Sequence, residues 1–289
     1  MESKIINSDC LEGLKQIERN SVQTCITSPP YWQLRDYGQK DQLGTEKTPE
    51  EFVTRIVEIF REVRDVLRDD GTVWINLGDT FCGGGGYCPT APSNQAGSKQ
   101  STNRGVKAKP RPVPPGFKAK DLVGIPWMAA MALRADGWYL RADIIWEKSN
   151  GMPEAVKDRP TRCHEYVFLL TKNPHYFYNA EAIKEETTEG ANKRNKRSVW
   201  KINQKPYAGA HFAVFPEELV KTCMLAGSKE GDLVLDPFVG SGTTGSVANK
   251  LKRNFIGIDL NPDYCIMAQE RIEKENPPCE SGFQQFKID

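Results

Sequence analysis

Apolar positions along the chain follow two alternating rhythms: short continuous runs, and stretches spaced to fill one face of a helix. The runs Lys4–Ser8, Val22–Thr27, Thr72–Leu77, Tyr139–Trp146, Tyr166–Thr171, Asp232–Asp236 and Phe255–Asp259 predict strands. Helical spacing predicts helices over Leu11–Ile17, Pro49–Arg68, Pro126–Ala135, Pro216–Ala226, Thr243–Lys252 and Asp263–Lys274. Pro49–Arg68 carries the strongest signal. Thr48 and Glu51 form a capping box, Pro49 occupies the first turn, and Phe52, Ile56, Ile59, Phe60, Val63 and Leu67 share a face. Asp70-Gly71 is its expected stop. Strands that alternate with helices predict an α/β fold with a largely parallel sheet.

Two segments interrupt the alternation. Gly83–Lys120 is rich in Gly, Pro, Ser and Lys, without periodicity, and carries Lys99, Arg104, Lys107, Lys109, Arg111, Lys118 and Lys120 but no acid. A structureless stretch of that length is usually functional or mobile, so it is read as a basic loop insertion. Gly190–Lys205 is a shorter version, with Lys193, Arg194, Lys196, Arg197, Lys201 and Lys205 and no acid. The chain as a whole has a net charge of only +1, so any affinity for a polyanion has to be local.

Composition narrows the class. Hydrophobic residues make up 38% and charged residues 27% of 289, ordinary for a soluble globular protein. No window approaches 18 apolar residues, which excludes a membrane-spanning helix, and Met1–Lys4 opens no signal-peptide core, which points to the cytoplasm. The eight cysteines are scattered and include no C-x-x-C pair, so reduced, mostly buried thiols are expected, with no structural metal.

The first candidate chemistry lies late in the chain. Asp236-Pro237-Phe238-Val239-Gly240-Ser241-Gly242-Thr243-Thr244-Gly245 follows a predicted strand and opens a predicted helix, and Asp259 ends the next strand. Such a unit suits a nucleotide-like ligand, with the distal acid on ribose hydroxyls, although a plain tight turn packing a helix on a sheet has the same outline. Asp236 at the strand end would repel a pyrophosphate but suits an ammonium group, which tilts the reading from NAD towards S-adenosylmethionine.

The second lies early. Thr27-Ser28-Pro29-Pro30-Tyr31-Trp32 leaves a strand directly. Two prolines remove backbone donors and leave carbonyls free, Ser28 adds a hydroxyl acceptor, and Tyr31 and Trp32 add flat faces. An amine on an aromatic ring matches those properties, and acceptors that draw on its hydrogens localise its lone pair for attack. A rigid strand exit with aromatic packing is the alternative.

Together these segments resemble the DNA amino-methyltransferases, whose catalytic motif is [Ser/Asn/Asp]-Pro-Pro-[Tyr/Phe/Trp] and whose cofactor motif is Asp-Pro-Phe-x-Gly-Ser-Gly-Thr-Thr. The catalytic motif first and the cofactor loop last resembles the circularly permuted β group. Asn7–Leu11 looks like its opening adenine-proximal motif, Asn76–Asp79 a strand-end motif near the active site, Phe255–Asp259 the ribose motif, and His211–Pro216 the lead-in to the methionine end. The resemblance implies one catalytic domain over 1–289, α/β with a Rossmann-like doubly wound, mostly parallel sheet of the methyltransferase type and a long basic loop insertion at 83–120, with S-adenosylmethionine as cofactor. It places Ser28, Pro29, Pro30 and Tyr31 at the target base. Asp9, Cys10, Phe215, Asp236, Pro237, Phe238, Gly240, Ser241, Gly242, Thr243, Thr244 and Asp259 are placed at the cofactor. It also implies direct transfer, with the base flipped out of double-stranded DNA.

Serine at the first motif position is typical of the N4-cytosine branch and favours it over N6-adenine. Methylation at C5 is rejected, because no cysteine follows a strand beside a proline-rich loop. The expected DNA contacts are Lys99, Arg104, Lys107, Lys109 and Arg111 in the insertion and Lys193, Arg194, Lys196 and Arg197 in a short target-recognition region, 179–210. A partner restriction endonuclease, and the choice between monomer and homodimer, stay open. Competing readings are an NAD-type oxidoreductase, a non-enzymatic nucleic-acid-binding module, and a methyltransferase acting on RNA or protein.

Overall fold

The computed structural model describes residues 2–34, 41–83, 113–151, 154, 156–187, 192–204 and 215–275. Its first half runs β1 (Ser3–Asn7), α1 (Cys10–Leu14), β2 (Val22–Thr27), α2 (Pro49–Val66), β3 (Leu67–Leu77), α3 (Ile125–Ala135), β4 (Tyr139–Glu147) and β5 (His164–Thr171). A 3-10 turn at Glu181–Ile183 leads to the short strands β6 (Glu185–Glu186), β7 (Lys193–Arg194) and β8 (Val199–Lys201). Then follow α4 (Glu217–Gly227), β9 (Leu233–Asp236), α5 (Thr243–Lys250), β10 (Asn254–Asp259) and α6 (Pro262–Glu275).

Eight strands form one sheet in the order β1-β10-β9-β2-β3-β5-β4-β8, and β6 and β7 pair separately. Within that sheet, among the described residues, only β5 runs against both its neighbours, and β6 and β7 are antiparallel to each other. Alternate residues of each central strand enter opposite cores. Cys25, Val73, Ile75 and Leu235 face α1, α2 and α3 with Phe52, Phe60 and Leu133. Ile26, Trp74, Val234 and Phe255 face α4, α5 and α6 with Leu219, Met224, Val247 and Ile272. The doubly wound α/β reading therefore holds.

This order places the site. β2 continues through α2 to β3 on one side, and β9 continues through α5 to β10 on the other, so the winding reverses between the neighbours β2 and β9. Crevices beyond the carboxyl ends of strands at such a reversal are where α/β folds bind ligands. The Ser28 turn leaves β2 there, and the Pro237 turn leaves β9 there. Because β5 is antiparallel, its first residues reach the same edge as the last residues of β4: Trp146 lies opposite Glu165.

Helix α2 starts where its sequence predicts, with Thr48 Oγ1 accepting from the Glu51 amide at 3.2 Å, but the Glu51 carboxylate accepts from the Lys47 amide at 3.0 Å, one residue ahead of the reciprocal bond that a capping box makes. Its end differs. Leu67 turns to extended backbone (φ −72°, ψ 138°) and begins β3 at once, and Asp70-Gly71 lies inside that strand. Pairing with β2 jumps from Val22–Leu67 to Thr24–Thr72, so Arg68–Gly71 form a bulge where a helix-terminating turn was expected. Gly190–Lys205, expected to be structureless, contributes β7 and the edge strand β8; β8 is held by Ile145–Val199 pairing and by Trp146 Nε1 donating to the Ile202 carbonyl at 2.8 Å. No helix among the described residues is long and apolar enough to cross a membrane.

Gly242 begins α5 at φ +78°, and an added Cβ would lie 2.7 Å from the Ala268 Cα of α6. Both left-handed strain and a clash with backbone oppose any side chain there. Gly242→Ala is expected to lower stability by roughly 2–4 kcal/mol, read as a melting temperature lower by about 5–15 °C. An unchanged transition would contradict this packing.

Candidate active site

The early proline turn and the late glycine turn line one cavity of about 340 Å³. That is within the size range of small-molecule and cofactor sites. Ser28, Pro29, Pro30 and Tyr31 form one wall. Asp236, Pro237, Phe238, Gly240, Ser241, Thr243, Thr244 and Asp259 form another, closed by Asp9, Cys10 and Phe215. The two turns also touch directly: Thr27 Oγ1 donates to Asp236 Oδ1 at 2.7 Å, across 209 residues of sequence. Gly242 alone of the predicted cofactor residues does not line the cavity; it sits behind the loop, its amide bonded to the Val239 carbonyl at 2.9 Å.

Asp236 is 3% exposed. Besides Thr27, its carboxylate accepts from Thr244 Oγ1 at 2.7 Å and from the Phe238 amide at 3.1 Å. Burial pushes its pKa up to about 6 against the pull of these donors, and Asp259 adds to the rise. Burial also raises Asp259, whose carboxylate accepts from the amides of Gly240 and Asn261, each at 2.9 Å. Two desolvated carboxylates in one cavity favour a cationic ligand and disfavour an anionic one. Beside them, Asp9 caps α1 by accepting from the Leu11 amide at 2.9 Å. Burial pushes the neighbouring Cys10 thiol up to about 12, leaving it a neutral wall group.

The opposite end is a polar network. Ser28 Oγ donates to Asn76 Oδ1 at 3.1 Å. The Tyr31 hydroxyl lies 3.0 Å from Asn76 Oδ1 and 2.7 Å from Glu165 Oε2. Asn76 Nδ2 donates to Glu165 Oε2 at 3.2 Å and to the Tyr166 carbonyl at 3.1 Å. Glu165 Oε1 pairs with the Lys148 ammonium, which also lies 4.2 Å from the centre of the Trp146 ring. The Tyr31 ring rests on Gly78, where an added Cβ would come within 2.4 Å of it. Only glycine gives the ring that approach.

Several of these residues escape a reading of the sequence. Asn76 is legible only as part of a strand-end motif. Lys148, Glu165 and Trp146 carry no motif, and the charged run Lys157–Glu165 also holds Arg159 and His164. Neither of those lines the cavity: Arg159 lies 3.9 Å over the Phe81 ring and bonds Glu154, and His164 meets Tyr166 edge-on. Arg271 carries no signal either. Buried at 6% exposure, it donates to Thr243 Oγ1 at 2.8 Å and to Glu217 Oε1 at 3.0 Å, bracing the glycine loop from behind.

The basic residues expected at DNA fare unevenly. Lys99, Arg104, Lys107, Lys109 and Arg111 lie outside the described residues, as does His211. Arg194 and Arg197 both donate to Glu185 Oε1, at 2.9 and 2.8 Å, so one carboxylate gathers two guanidinium groups beside the β6–β7 pair. Lys196 lies 5.4 Å from the centre of the Trp200 ring, and Lys193 is exposed. None of the four lines the cavity.

Comparison with known proteins gives this cavity its family. Residues 22–270 match the DNA methylase family of N6 and N4 methyltransferases. The Type II methyltransferase M.Cfr9I of Citrobacter freundii is 49% identical over 273 residues, spanning 94% of this chain and 88% of that one. Among solved structures, the PvuII DNA methyltransferase (cytosine-N4-specific) shares the fold with a TM-score of 0.68 at 19% identity, over 94% of this chain and 86% of that one. TTHA0409 of Thermus thermophilus, solved in complex with S-adenosyl-L-methionine, shares it with a TM-score of 0.63 at 23% identity, over 96% and 95%. The chain belongs to the N6/N4 DNA methylase family.

Proposed function

We propose that this DNA methyltransferase moves a methyl group from S-adenosylmethionine to the N4 amine of a cytosine flipped out of double-stranded DNA. One observation carries the reading: two desolvated carboxylates, Asp236 and Asp259, and a Ser-Pro-Pro-Tyr wall share a single cavity, joined by the Thr27–Asp236 hydrogen bond.

The residues fit the cofactor. The carboxylate pair suits its ammonium and sulfonium charges, and Asp259, held by two amides, keeps lone pairs for a ribose diol. An NAD pyrophosphate would face two carboxylates instead. Asp236 is assigned to the methionine end, Asp259 to the ribose, and Asp9, Cys10, Phe215 and Phe238 to the remaining contacts. When bound, S-adenosylmethionine supplies an electrophilic methyl carbon.

The protein's part is to hold and orient the amine. Because Ser28 spends its hydrogen on Asn76, its lone pairs are left to accept from the amine, and the Pro29 carbonyl offers a second acceptor. Drawing on those hydrogens localises the nitrogen lone pair. A carbon–nitrogen bond forms as the carbon–sulfur bond breaks, and the surplus amine proton passes to water. No covalent enzyme adduct is needed, so orientation supplies most of the acceleration. Serine at the first motif position, typical of the N4-cytosine branch, is the ground for choosing cytosine. Lys193, Arg194, Lys196 and Arg197, with the basic residues of 83–120, are assigned to phosphates. Residues 179–210 are assigned to target recognition within a single catalytic domain. A restriction endonuclease of matching specificity is the expected partner.

Nucleoside analysis of DNA from cells expressing the protein should reveal N4-methylcytosine. N6-methyladenine would move the reading to the other amine; 5-methylcytosine or no modified base would overturn it. Titration gives a second check. With Asp236 ionising near pH 6 in the free protein, a proton competes with the cofactor's positive charge. Affinity should be level above pH 7 and fall as pH drops through about 6, approaching tenfold per unit in calorimetry. Tighter binding in acid would contradict the assignment.

A further inference from the structure

Ser28 can accept from the target amine only if its own hydrogen points away from the cavity. A serine hydroxyl rotates freely, so something has to fix that direction. Asn76 does so only while its amide stands one way round. Its Nδ2 faces two groups that can only accept, the Tyr166 carbonyl and Glu165 Oε2, which forces Oδ1 towards Ser28. Turned over, the amide would donate to Ser28 and send the serine hydrogen into the cavity, against the hydrogens of the amine.

We propose that Glu165, anchored by Lys148, is a positioning residue that locks Asn76 and through it commits Ser28 to the acceptor role. The two carboxylate oxygens divide the work: Oε1 holds Lys148, while Oε2 receives Asn76 and Tyr31. Both partners are sheltered, with Lys148 at 12% and Glu165 at 16% side-chain exposure, and Asn76 at 1%. A carboxamide cannot do both jobs. With Lys148 present, the single oxygen of a glutamine turns to the ammonium and its NH2 confronts the Asn76 NH2, which favours the flipped amide.

The proposal rests on the methyl-transfer reading above and deepens it. Five proteins test it: wild type, Glu165→Gln, Ser28→Ala, Glu165→Gln with Lys148→Met, and Glu165→Gln with Ser28→Ala. Each is assayed for single-turnover transfer to duplex DNA and for S-adenosylmethionine affinity. Glu165→Gln should lose roughly 100-fold in turnover and keep its cofactor affinity within about twofold, which also shows that it folds. Adding Lys148→Met frees the glutamine oxygen for Asn76 and Tyr31 and should restore turnover to within about tenfold of wild type. In a Ser28→Ala background, Glu165→Gln should cost little more. The proposal is overturned if Glu165→Gln retains full turnover, if Lys148→Met brings no recovery, or if the loss is as large without Ser28. If wild-type protein transfers no methyl to DNA, the underlying reading fails instead, and that outcome is distinct from the other three.

Discussion

Asp236→Asn is expected to weaken S-adenosylmethionine binding by roughly 10- to 100-fold while the protein remains folded. A hydrogen bond to a charged group contributes about 1.5–3 kcal/mol, and each 1.4 kcal/mol is tenfold in affinity. The asparagine is isosteric, so Thr27 and Thr244 can keep their contacts: one hydroxyl donates to the remaining oxygen and the other rotates to accept from the new NH2. The substitution also removes a charge whose burial is costly enough to raise its pKa to about 6. Thermal stability should therefore hold while affinity falls. Calorimetry and a melting curve on the same sample separate the two effects, and unchanged affinity would remove Asp236 from the cofactor site.

Ser28→Ala should act on the other partner. Turnover is expected to fall roughly 100- to 1000-fold, the scale seen when one preorganised hydrogen-bonding group is removed from a reacting centre. Cofactor affinity should stay within about twofold. The neighbourhood tolerates the change, because Asn76 keeps its Nδ2 bonds to Glu165 Oε2 and the Tyr166 carbonyl. A rise in the DNA KM without a fall in turnover would instead make Ser28 a binding contact. Together the two substitutions split the cavity into halves, one read by affinity and the other by rate.

Much of this was legible in the chain because it is encoded locally. A strand running into Asp-Pro-Phe-x-Gly-Ser-Gly, or into Ser-Pro-Pro-Tyr, dictates its own turn, and the alternation of runs and helical stretches fixes an α/β sheet. The Thr48–Glu51 cap lies within a single turn for the same reason. What escaped is set by tertiary register. Lys148 and Glu165 meet because antiparallel β5 brings its first residues beside the end of β4, and no spacing in the sequence announces that pairing. Asp70-Gly71 carries a turn signal, yet the pull of pairing with β2 makes it a bulge inside β3. Strand β8 rests on three residues whose partner, β4, lies more than fifty positions away. Arg271 looks like one more charge on a closing helix until its contacts place it under the glycine loop.

The central claim is that the two turns hold cofactor and amine face to face, so the methyl passes once, directly between them. A cofactor whose methyl carries hydrogen, deuterium and tritium in one configuration tests this most directly. Recovered from the modified base, the methyl should show inverted configuration, as a single in-line displacement requires. Net retention would mean two transfers through a group on the protein, and would contradict the account.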